Sequence, residues 1–192
     1  MKNYKVNEIF YSLQGEGANT GTPAIFIRFS GCNLRCPFCD TDFAAFTEMT
    51  ADEIAAAASA YPAELVVLTG GEPSLQVDDT LINLLHEKGK YIAIETNGTH
   101  SLPDGIDWIT LSPKENSRLA LTSAHEVKVV YTGQDVEQYF TLFPDALWHY
   151  LQPCSITRDG ITTDNRDEVI RYCLAHPHWA LSLQTHKLIN IR

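Results

Sequence analysis

Three cysteines lie within one short stretch of the chain, GCNLRCPFCDT at positions 31–41. Their spacing, C-x3-C-x2-C, places Cys32, Cys36 and Cys39 close enough in sequence to bind one metal group. Gly31 precedes the run and Pro37 interrupts it, which favours a loop over a helix. Thiolates are ligands for zinc and for iron–sulfur clusters, so the stretch predicts a metal site.

The number of cysteines bears on which metal group fits. A structural zinc site is closed, and its ligands usually come as pairs from two separated segments. A second such pair is missing here, because Cys154 and Cys173 have no close-spaced partner and are interpreted as small hydrophobic residues or neighbours of the site. A [4Fe–4S] cluster normally takes four cysteines, so three would leave one iron open to a substrate or cofactor. A catalytic cluster is therefore predicted, with a non-catalytic metal-binding module as an alternative.

The elements that must position this loop follow from apolar runs that alternate with helical patterns. Strands are predicted at 24–29, 64–70, 91–98, 107–114, 125–131, 147–153 and 179–184. Helices are predicted at 49–61, 77–89 and 165–177, and the first of them carries a Thr50–Glu53 capping box. Alternation of this kind is typical of βαβ units. We predict one α/β domain, residues 1–192, with a mainly parallel sheet.

Four of the predicted strands end in polar or glycine-rich segments. These segments are TGGEPS, ETNGT, SPKENS and QPCS. Turns favour the same residue types, so any one of these segments could be only a turn. Because parallel α/β folds bind ligands at the carboxyl ends of their strands, the four together predict a ligand pocket at one edge of the sheet.

The bulk properties restrict the class of protein. The formal net charge of the 192-residue chain is −10, which argues against binding nucleic acid through its phosphate backbone. No apolar run approaches the roughly 18 residues of a membrane helix. The start of the chain does not resemble a secretory signal, so a cytoplasmic location without membrane partners is expected.

The cysteine spacing, in its context, resembles that of the radical S-adenosylmethionine (SAM) enzymes. A predicted strand runs directly into the cysteine loop, and TGGEP follows the next strand, as in that superfamily. The resemblance implies a [4Fe–4S] cluster on Cys32, Cys36 and Cys39, whose open iron binds SAM and whose reduction releases a 5′-deoxyadenosyl radical. The SAM contacts that it implies are Phe38, Cys39, Asp40, Gly71, Ser112, Pro113, Lys114, Gln152, Pro153, Cys154 and Ser155.

The segment EIFYSLQGEGANTGTPAIFIRFSGCNLRCPFCDT resembles the 7-carboxy-7-deazaguanine synthase family more closely, and the likeness returns at ETNGT, SPK, LQP and the tail LSLQTHKLINIR. That family converts 6-carboxy-5,6,7,8-tetrahydropterin into 7-carboxy-7-deazaguanine, with loss of ammonia, on the route to queuosine and other 7-deazapurines. The resemblance implies catalytic use of SAM, support by Mg²⁺, and a homodimer with a shortened, partly open (β/α) barrel. An electron donor such as flavodoxin is also expected.

The same resemblance assigns a substrate site and a magnesium position. The implied substrate contacts are Leu13, Gln14, Gly15, Glu16, Arg28, Thr69 and Arg192. Arg28 could bind the substrate carboxylate or form an internal ion pair, and Glu16 could accept hydrogen bonds from the pterin or lie in water as a turn residue. Thr41 matches the magnesium position. Because one hydroxyl binds Mg²⁺ poorly, metal and substrate carboxylate are expected to bind together.

A second enzymatic interpretation remains open beside the metal-binding module. Activases that generate a glycyl radical on a partner enzyme are also short radical SAM proteins. The segment SLQGEG and Thr41 favour a small pterin substrate over a protein loop. His186 and Lys187 stand close enough in sequence to join the pocket, and for His186 a structural role is as compatible with the pattern as a chemical one.

Overall fold

The computed structural model describes residues 2–39, 45–158 and 161–192. Its strands are β1 Tyr4–Leu13, β2 Pro23–Phe29, β3 Thr47–Met49, β4 Leu65–Gly70, β5 Tyr91–Thr96, β6 Trp108–Leu111, β7 Glu126–Tyr131, β8 Trp148–Pro153, β9 Ser155–Arg158, β10 Ile161–Asp164 and β11 Ala180–Leu181. Its α-helices are α1 Ala51–Ser59, α2 Asp79–Glu87, α3 Glu137–Leu142, α4 Arg166–Ala175 and α5 Thr185–Leu188. None of these helices has the length and apolar character needed to span a bilayer.

One nine-stranded sheet organises the fold, in the order β11-β8-β7-β6-β5-β4-β2-β1-β3. The seven strands from β2 to β11 in this order run parallel, whereas β1 pairs antiparallel with β2 and with β3. The predicted mainly parallel α/β architecture is confirmed. The two end strands of this order, β11 and β3, do not pair with each other, so the described sheet is open, in agreement with a partly open barrel.

Both faces of the sheet are covered, which explains the nearly continuous apolar runs of its strands. Val66 and Leu68 pack on the outer face with α1 and α2, and Leu65 and Val67 pack on the inner face with Ala93. A second outer cluster joins β7 and β8 to α3 and α4. Side chains alternate between the two faces along each strand, so every second residue continues the inner face toward the carboxyl end. At that end the inner face presents polar side chains, namely Arg28, Thr69, Glu95, Lys128 and Gln152.

Several elements differ from the sequence-based prediction. The last predicted strand, 179–184, is only the two-residue β11, and the long β1 was not predicted. In β1 a register shift between Val6 and Glu8 breaks the alternation that would have revealed a strand. The predicted helices at 49–61, 77–89 and 165–177 form as the shorter α1, α2 and α4. Thr50 Oγ1 accepts from the Glu53 N–H at 3.3 Å, and Glu53 Oε2 accepts from the Thr50 N–H at 2.7 Å, as the capping box requires.

Candidate active site

A cavity of about 450 Å³ opens on the inner face at the carboxyl ends of the strands. It brings together residues that the sequence analysis assigned to the cluster, to SAM and to the substrate: Leu13, Gln14, Gly15, Glu16, Arg28, Cys32, Cys36, Phe38, Cys39, Thr69, Gly71, Ser112, Lys114, Gln152, Pro153, Cys154, Ser155 and Arg192. Pro113 is buried and does not contribute to this lining. Asp40 and Thr41 lie outside the described residues.

The cysteine loop leaves β2 and folds back on itself at the cavity. The Cys39 N–H donates to the Cys36 carbonyl at 3.1 Å, and all three thiols are free. Within the described ranges, no three His, Cys, Asp or Glu side chains converge as ligands of a single ion. A [4Fe–4S] cluster takes each thiolate on a different iron, so three separated thiols around one cavity fit a cluster better than a zinc ion.

A cation lies beside these thiols. Burial raises the pKa of the Cys32 and Cys36 thiols, and the nearby Lys114 partly opposes this increase. Burial lowers the pKa of Lys114, whose Nζ donates to the carbonyl and the hydroxyl of Ser112 at 2.7 Å each. Lys114 is therefore held in the cavity wall and is not a solvated surface lysine. Metal ligation requires deprotonated thiols, which a neighbouring ammonium group favours.

The TGGEP segment joins the end of β4 to the cysteine loop. The Gly71 N–H donates to the Phe29 carbonyl and the Glu72 N–H donates to the Gly31 carbonyl, both at 2.9 Å. A Cβ atom at Gly71 would lie 1.9 Å from the Gly31 oxygen, so this contact requires glycine. In the described structure, the close backbone approach of Gly71 is thus to the cysteine loop itself.

Glu72 connects this segment to the end of β5. Its buried carboxylate accepts from Thr96 Oγ1 at 2.6 Å, from the Asn97 N–H at 2.7 Å and from the Ser74 N–H at 3.0 Å. Asn97 Nδ2 in turn donates to Asn33 Oδ1, inside the cysteine loop, at 3.1 Å. The ends of two strands and the cysteine loop therefore form one hydrogen-bonded unit.

The turn after β1 is fixed by contacts with the end of β5 and with the C-terminal segment. Gln14 Oε1 accepts from the Gly15 N–H at 2.7 Å, and Gln14 Nε2 donates to Glu95 Oε1 at 2.8 Å. The Thr185 N–H donates to the Gly15 carbonyl at 2.9 Å. A Cβ atom at Gly15 would lie 2.2 Å from Nδ1 of His186, so this histidine packs directly on the turn. His186 and Lys187 both line the cavity.

Glu16 is not a water-exposed turn residue, because it forms an ion pair inside the cavity. Its Oε2 lies 2.5 Å from Nζ of Lys128, and its side chain is 13% exposed. Its Oε1 accepts from Gln184 Nε2 at 2.9 Å and from Gln152 Nε2 at 3.4 Å. Burial alone would raise the pKa of Glu16, but the charge of Lys128 and these hydrogen bonds lower it to about 2. The carboxylate is therefore ionised.

Arg28 forms the internal ion pair that the sequence analysis left open. Its Nε lies 2.9 Å from Oε1 of Glu8, and Arg192 also pairs with Glu8. Both guanidinium groups lie over the ring of Phe10, with centroid distances of 5.8 Å for Arg28 and 4.7 Å for Arg192. Because Arg28 and Arg192 also line the cavity, two cations border the open space at this wall.

Sequence reasoning missed Lys128, Glu95 and Gln184, which all line the cavity. Lys128 carried a usable signal, since a single lysine inside the predicted strand HEVKVVY is costly to bury without partners. Glu95 stood in the segment ETNGT, whose position at a strand end was noted without a role for its carboxylate. Gln184 carried no signal, because an isolated glutamine near the end of the chain is compatible with any surface.

Comparison with known proteins agrees with this geometry. The model of the radical SAM superfamily matches residues 26–174. The 7-carboxy-7-deazaguanine synthase of Bacteroides thetaiotaomicron is 60% identical over 188 residues, which cover 98% of each chain. The 7-carboxy-7-deazaguanine synthase of Nitratidesulfovibrio vulgaris is 46% identical over 98% of this chain and 99% of the relative.

A solved structure has the same fold. The crystal structure of QueE from Escherichia coli superimposes with a TM-score of 0.77 at 33% identity, and the match covers 96% of this chain and 95% of that chain. The sequence relatives and this structure match nearly the full length of the chain. The chain therefore belongs to the 7-carboxy-7-deazaguanine synthase family of the radical SAM superfamily.

Proposed function

We propose that this protein is a radical SAM carbon–nitrogen lyase that converts 6-carboxy-5,6,7,8-tetrahydropterin into 7-carboxy-7-deazaguanine, with loss of ammonia. The relatives named for the synthesis of this product support the reaction. The structural observation that supports it best is a single cavity with the cysteine loop in one wall and the Gln14–Glu16 turn in another. A cofactor held at the loop and a substrate held at the turn would therefore share one cavity.

The cofactor side of the cavity would be formed by the cysteine loop and three strand ends. Cys32, Cys36 and Cys39 would hold the cluster. Gly71, the Ser112–Lys114 segment and the segment 152–155 would contact SAM. When bound and reduced, the cluster and SAM supply the radical that abstracts hydrogen from the substrate. The chain itself supplies Lys114 as a cation beside the thiols.

The substrate side would be formed by the turn after β1 and the β1–β2 wall. Arg28 would bind the substrate carboxylate through the nitrogen atoms that its contact with Glu8 leaves available. Gln14 and Glu16 would accept hydrogen bonds from the N–H groups of the pterin, and Leu13, Gly15, Thr69 and Arg192 would complete the contacts. A volume of about 450 Å³ suits a small molecule.

Two other activities are less well supported. A glycyl-radical activase acts on a loop of a partner protein, whereas the relatives of this chain are named for the synthesis of a small molecule. A non-catalytic metal-binding module has no use for a cavity with several cations and carboxylates at four strand ends.

The test is anaerobic incubation of the reconstituted and chemically reduced protein with SAM, Mg²⁺ and 6-carboxytetrahydropterin. Appearance of 7-carboxy-7-deazaguanine by mass spectrometry supports the lyase, and 5′-deoxyadenosine without that product supports the activase.

Magnesium belongs to the same proposal. Thr41 would bind Mg²⁺ together with the substrate carboxylate, because one hydroxyl supplies only one of the six oxygen ligands that the ion takes. We expect Thr41→Ala to impair product formation and weaken its Mg²⁺ dependence, while SAM binding stays largely intact. Titration of Mg²⁺ in the turnover assay measures this. Unchanged Mg²⁺-dependent turnover of the variant would remove Thr41 from the metal site.

The assembly and the partners are proposed on the same basis. Residues 1–192 would act as one catalytic domain in the cytoplasm, as a homodimer. A small electron donor such as flavodoxin would reduce the cluster. The product would enter the biosynthesis of queuosine or another 7-deazapurine. With a formal net charge of −10, direct binding of nucleic acid is not part of this proposal.

A further inference from the structure

Lys128 is a buried cation that joins two carboxylates from distant parts of the chain. It lies on the inner face of β7 with 4% of its side chain exposed. Its Nζ is 2.5 Å from Oε2 of Glu16, which follows β1, and 3.4 Å from Oε2 of Glu95 at the end of β5. All three side chains line the cavity.

The carboxylates outweigh the cost of burying this ammonium group. Burial would lower the pKa of Lys128, but the charges of Glu16, Glu95 and Glu126 raise it. Removing the ammonium group would leave three carboxylates close together without their shared cation. Breaking a buried ion pair from one side is strongly unfavourable, because the remaining charge is uncompensated.

Amide side chains fix the orientation of both carboxylates. Glu16 Oε1 accepts from Gln184 Nε2 at 2.9 Å, and Glu95 Oε1 accepts from Gln14 Nε2 at 2.8 Å. In each carboxylate, one oxygen therefore contacts Lys128 and the other accepts from a glutamine side chain. Glu95 is the more exposed of the two, at 23% of its side chain against 13% for Glu16, and its contact with Lys128 is the longer.

We propose that Lys128 is a positioning residue for substrate recognition, which holds Glu16 and Glu95 together so that their oxygen atoms accept from the N–H groups of the substrate's pyrimidine ring. The ring presents an N–H and an amino group side by side, and a fixed carboxylate matches such a donor pair. Lys128 itself does not touch the reacting atoms. The inference rests on the proposed function, because it needs a pterin in the cavity.

A merely structural ion pair makes a different prediction. If Lys128 only tied β7 to the turn after β1, its loss would lower the thermal stability and leave the affinity for substrate unchanged. If it positions the two carboxylates, its loss weakens substrate binding even in protein that remains folded. The proposed cluster ligands lie in the cysteine loop that follows β2, so cluster absorption should be unaffected in either case. SAM affinity is measured separately, because Gln152, a proposed SAM contact, donates to Glu16 Oε1 at 3.4 Å.

The test compares Lys128→Met and Lys128→Arg with the wild-type holoenzyme. We expect Lys128→Met to raise the KM for 6-carboxytetrahydropterin about tenfold or more, the effect of losing a hydrogen bond to a charged group. Cluster absorption should match the wild type, and Lys128→Arg should recover part of the loss. Lys90→Met is the matched control. Lys90 Nζ donates to the carbonyls of Tyr61 and Ala63 and does not line the cavity, so its loss should leave the KM unchanged.

A second variant keeps the test decisive if Lys128→Met does not fold. Glu16→Gln combined with Lys128→Met removes the closest pair of charges together, and its KM should still exceed that of Glu16→Gln alone, because Glu95 has lost its cation. If Lys128→Met folds, a KM within about twofold of the wild-type value would overturn the proposal. If it does not fold, a KM of the double variant within about twofold of that of Glu16→Gln would overturn it. If the wild-type enzyme forms product and the variants show such an unchanged KM, only the positioning role of Lys128 fails. If the wild type makes no product, the proposed function fails first.

Discussion

At the scale of single residues, the positions of the five cysteines bear on the proposed cluster ligands. Cys32 and Cys36 are partly buried and Cys39 is exposed, yet all three line the cavity. Cys173 is also partly buried, but it lies on α4 and packs against the outer cluster. Position therefore sets Cys173 apart from the other four cysteines, because Cys154 also lines the cavity, and the three proposed cluster ligands are distinguished from Cys154 by their spacing in one loop.

Replacing one cluster ligand should abolish the chemistry. We expect Cys39→Ala to lose the visible absorption of the reconstituted cluster and all SAM cleavage, since the cluster would have only two protein thiolates. Cys173→Ala is the matched control and should retain both, with at most a modest loss of stability. Iron content, absorption and 5′-deoxyadenosine release measure the outcome. Equal iron content and SAM cleavage in the two variants would contradict the assignment of Cys39.

At the scale of elements, the strand ends act together because they bond to one another. The end of β4 contacts the cysteine loop through Gly71 and Glu72, and Glu72 accepts from the end of β5. The geometry of the loop thus depends on backbone contacts with neighbouring strands, and its own sequence fixes only part of it. A change at one strand end should disturb the cluster loop without touching a thiol.

Gly71→Ala tests this dependence. Its methyl group would overlap the Gly31 oxygen, and we expect the free energy of unfolding to fall by about 3 kcal/mol, with reduced cluster occupancy. Gly89→Ala is the comparison. Gly89 has a φ of +70° but open space around its Cβ position. Gly89→Ala should therefore lower the free energy of unfolding by about 1 kcal/mol and leave cluster occupancy normal. Urea unfolding and iron analysis measure both, and equal effects would contradict the close contact.

The sequence allowed the elements to be predicted where their patterns were regular. The parallel strands have continuous apolar runs, and α1 carries a capping box, so both were predicted close to their bounds. The strand β1 was missed because its bulge breaks the alternation, and β11 is shorter than its apolar run. The periodicity of apolar residues indicates burial along a single element. The bounds of β1 and β11 depend instead on how each strand pairs with its neighbours in the sheet.

The candidate site was predictable where glycine, proline and cysteine mark the strand ends. The partners of its charges were not, because Lys128 and Glu16 are 112 residues apart in sequence. Arg28 illustrates the same limit. Its position on an apolar strand predicted a partner, but the choice of Glu8 depends on the antiparallel register of β1 and β2. Pairing of distant charges is a property of the assembled sheet.

At the scale of the whole molecule, positive charge is concentrated where the ligands would bind. The chain has a formal net charge of −10 and 14 lysines and arginines, of which five line the cavity as the structure describes it: Arg28, Lys114, Lys128, Lys187 and Arg192. An acidic protein with a local group of cations suits ligands that carry a carboxylate group, as SAM and the pterin do. The fold and the charge distribution therefore agree on one site.

The measurement that tests the central claim most directly is the ratio of product formed to SAM consumed. The reconstituted and reduced protein is incubated anaerobically with SAM, Mg²⁺ and 6-carboxytetrahydropterin, and 7-carboxy-7-deazaguanine and residual SAM are quantified by mass spectrometry. We expect many molecules of product for each SAM consumed, because the cofactor is regenerated at the end of each cycle. SAM cleavage without this product, or no cleavage at all, would contradict the account.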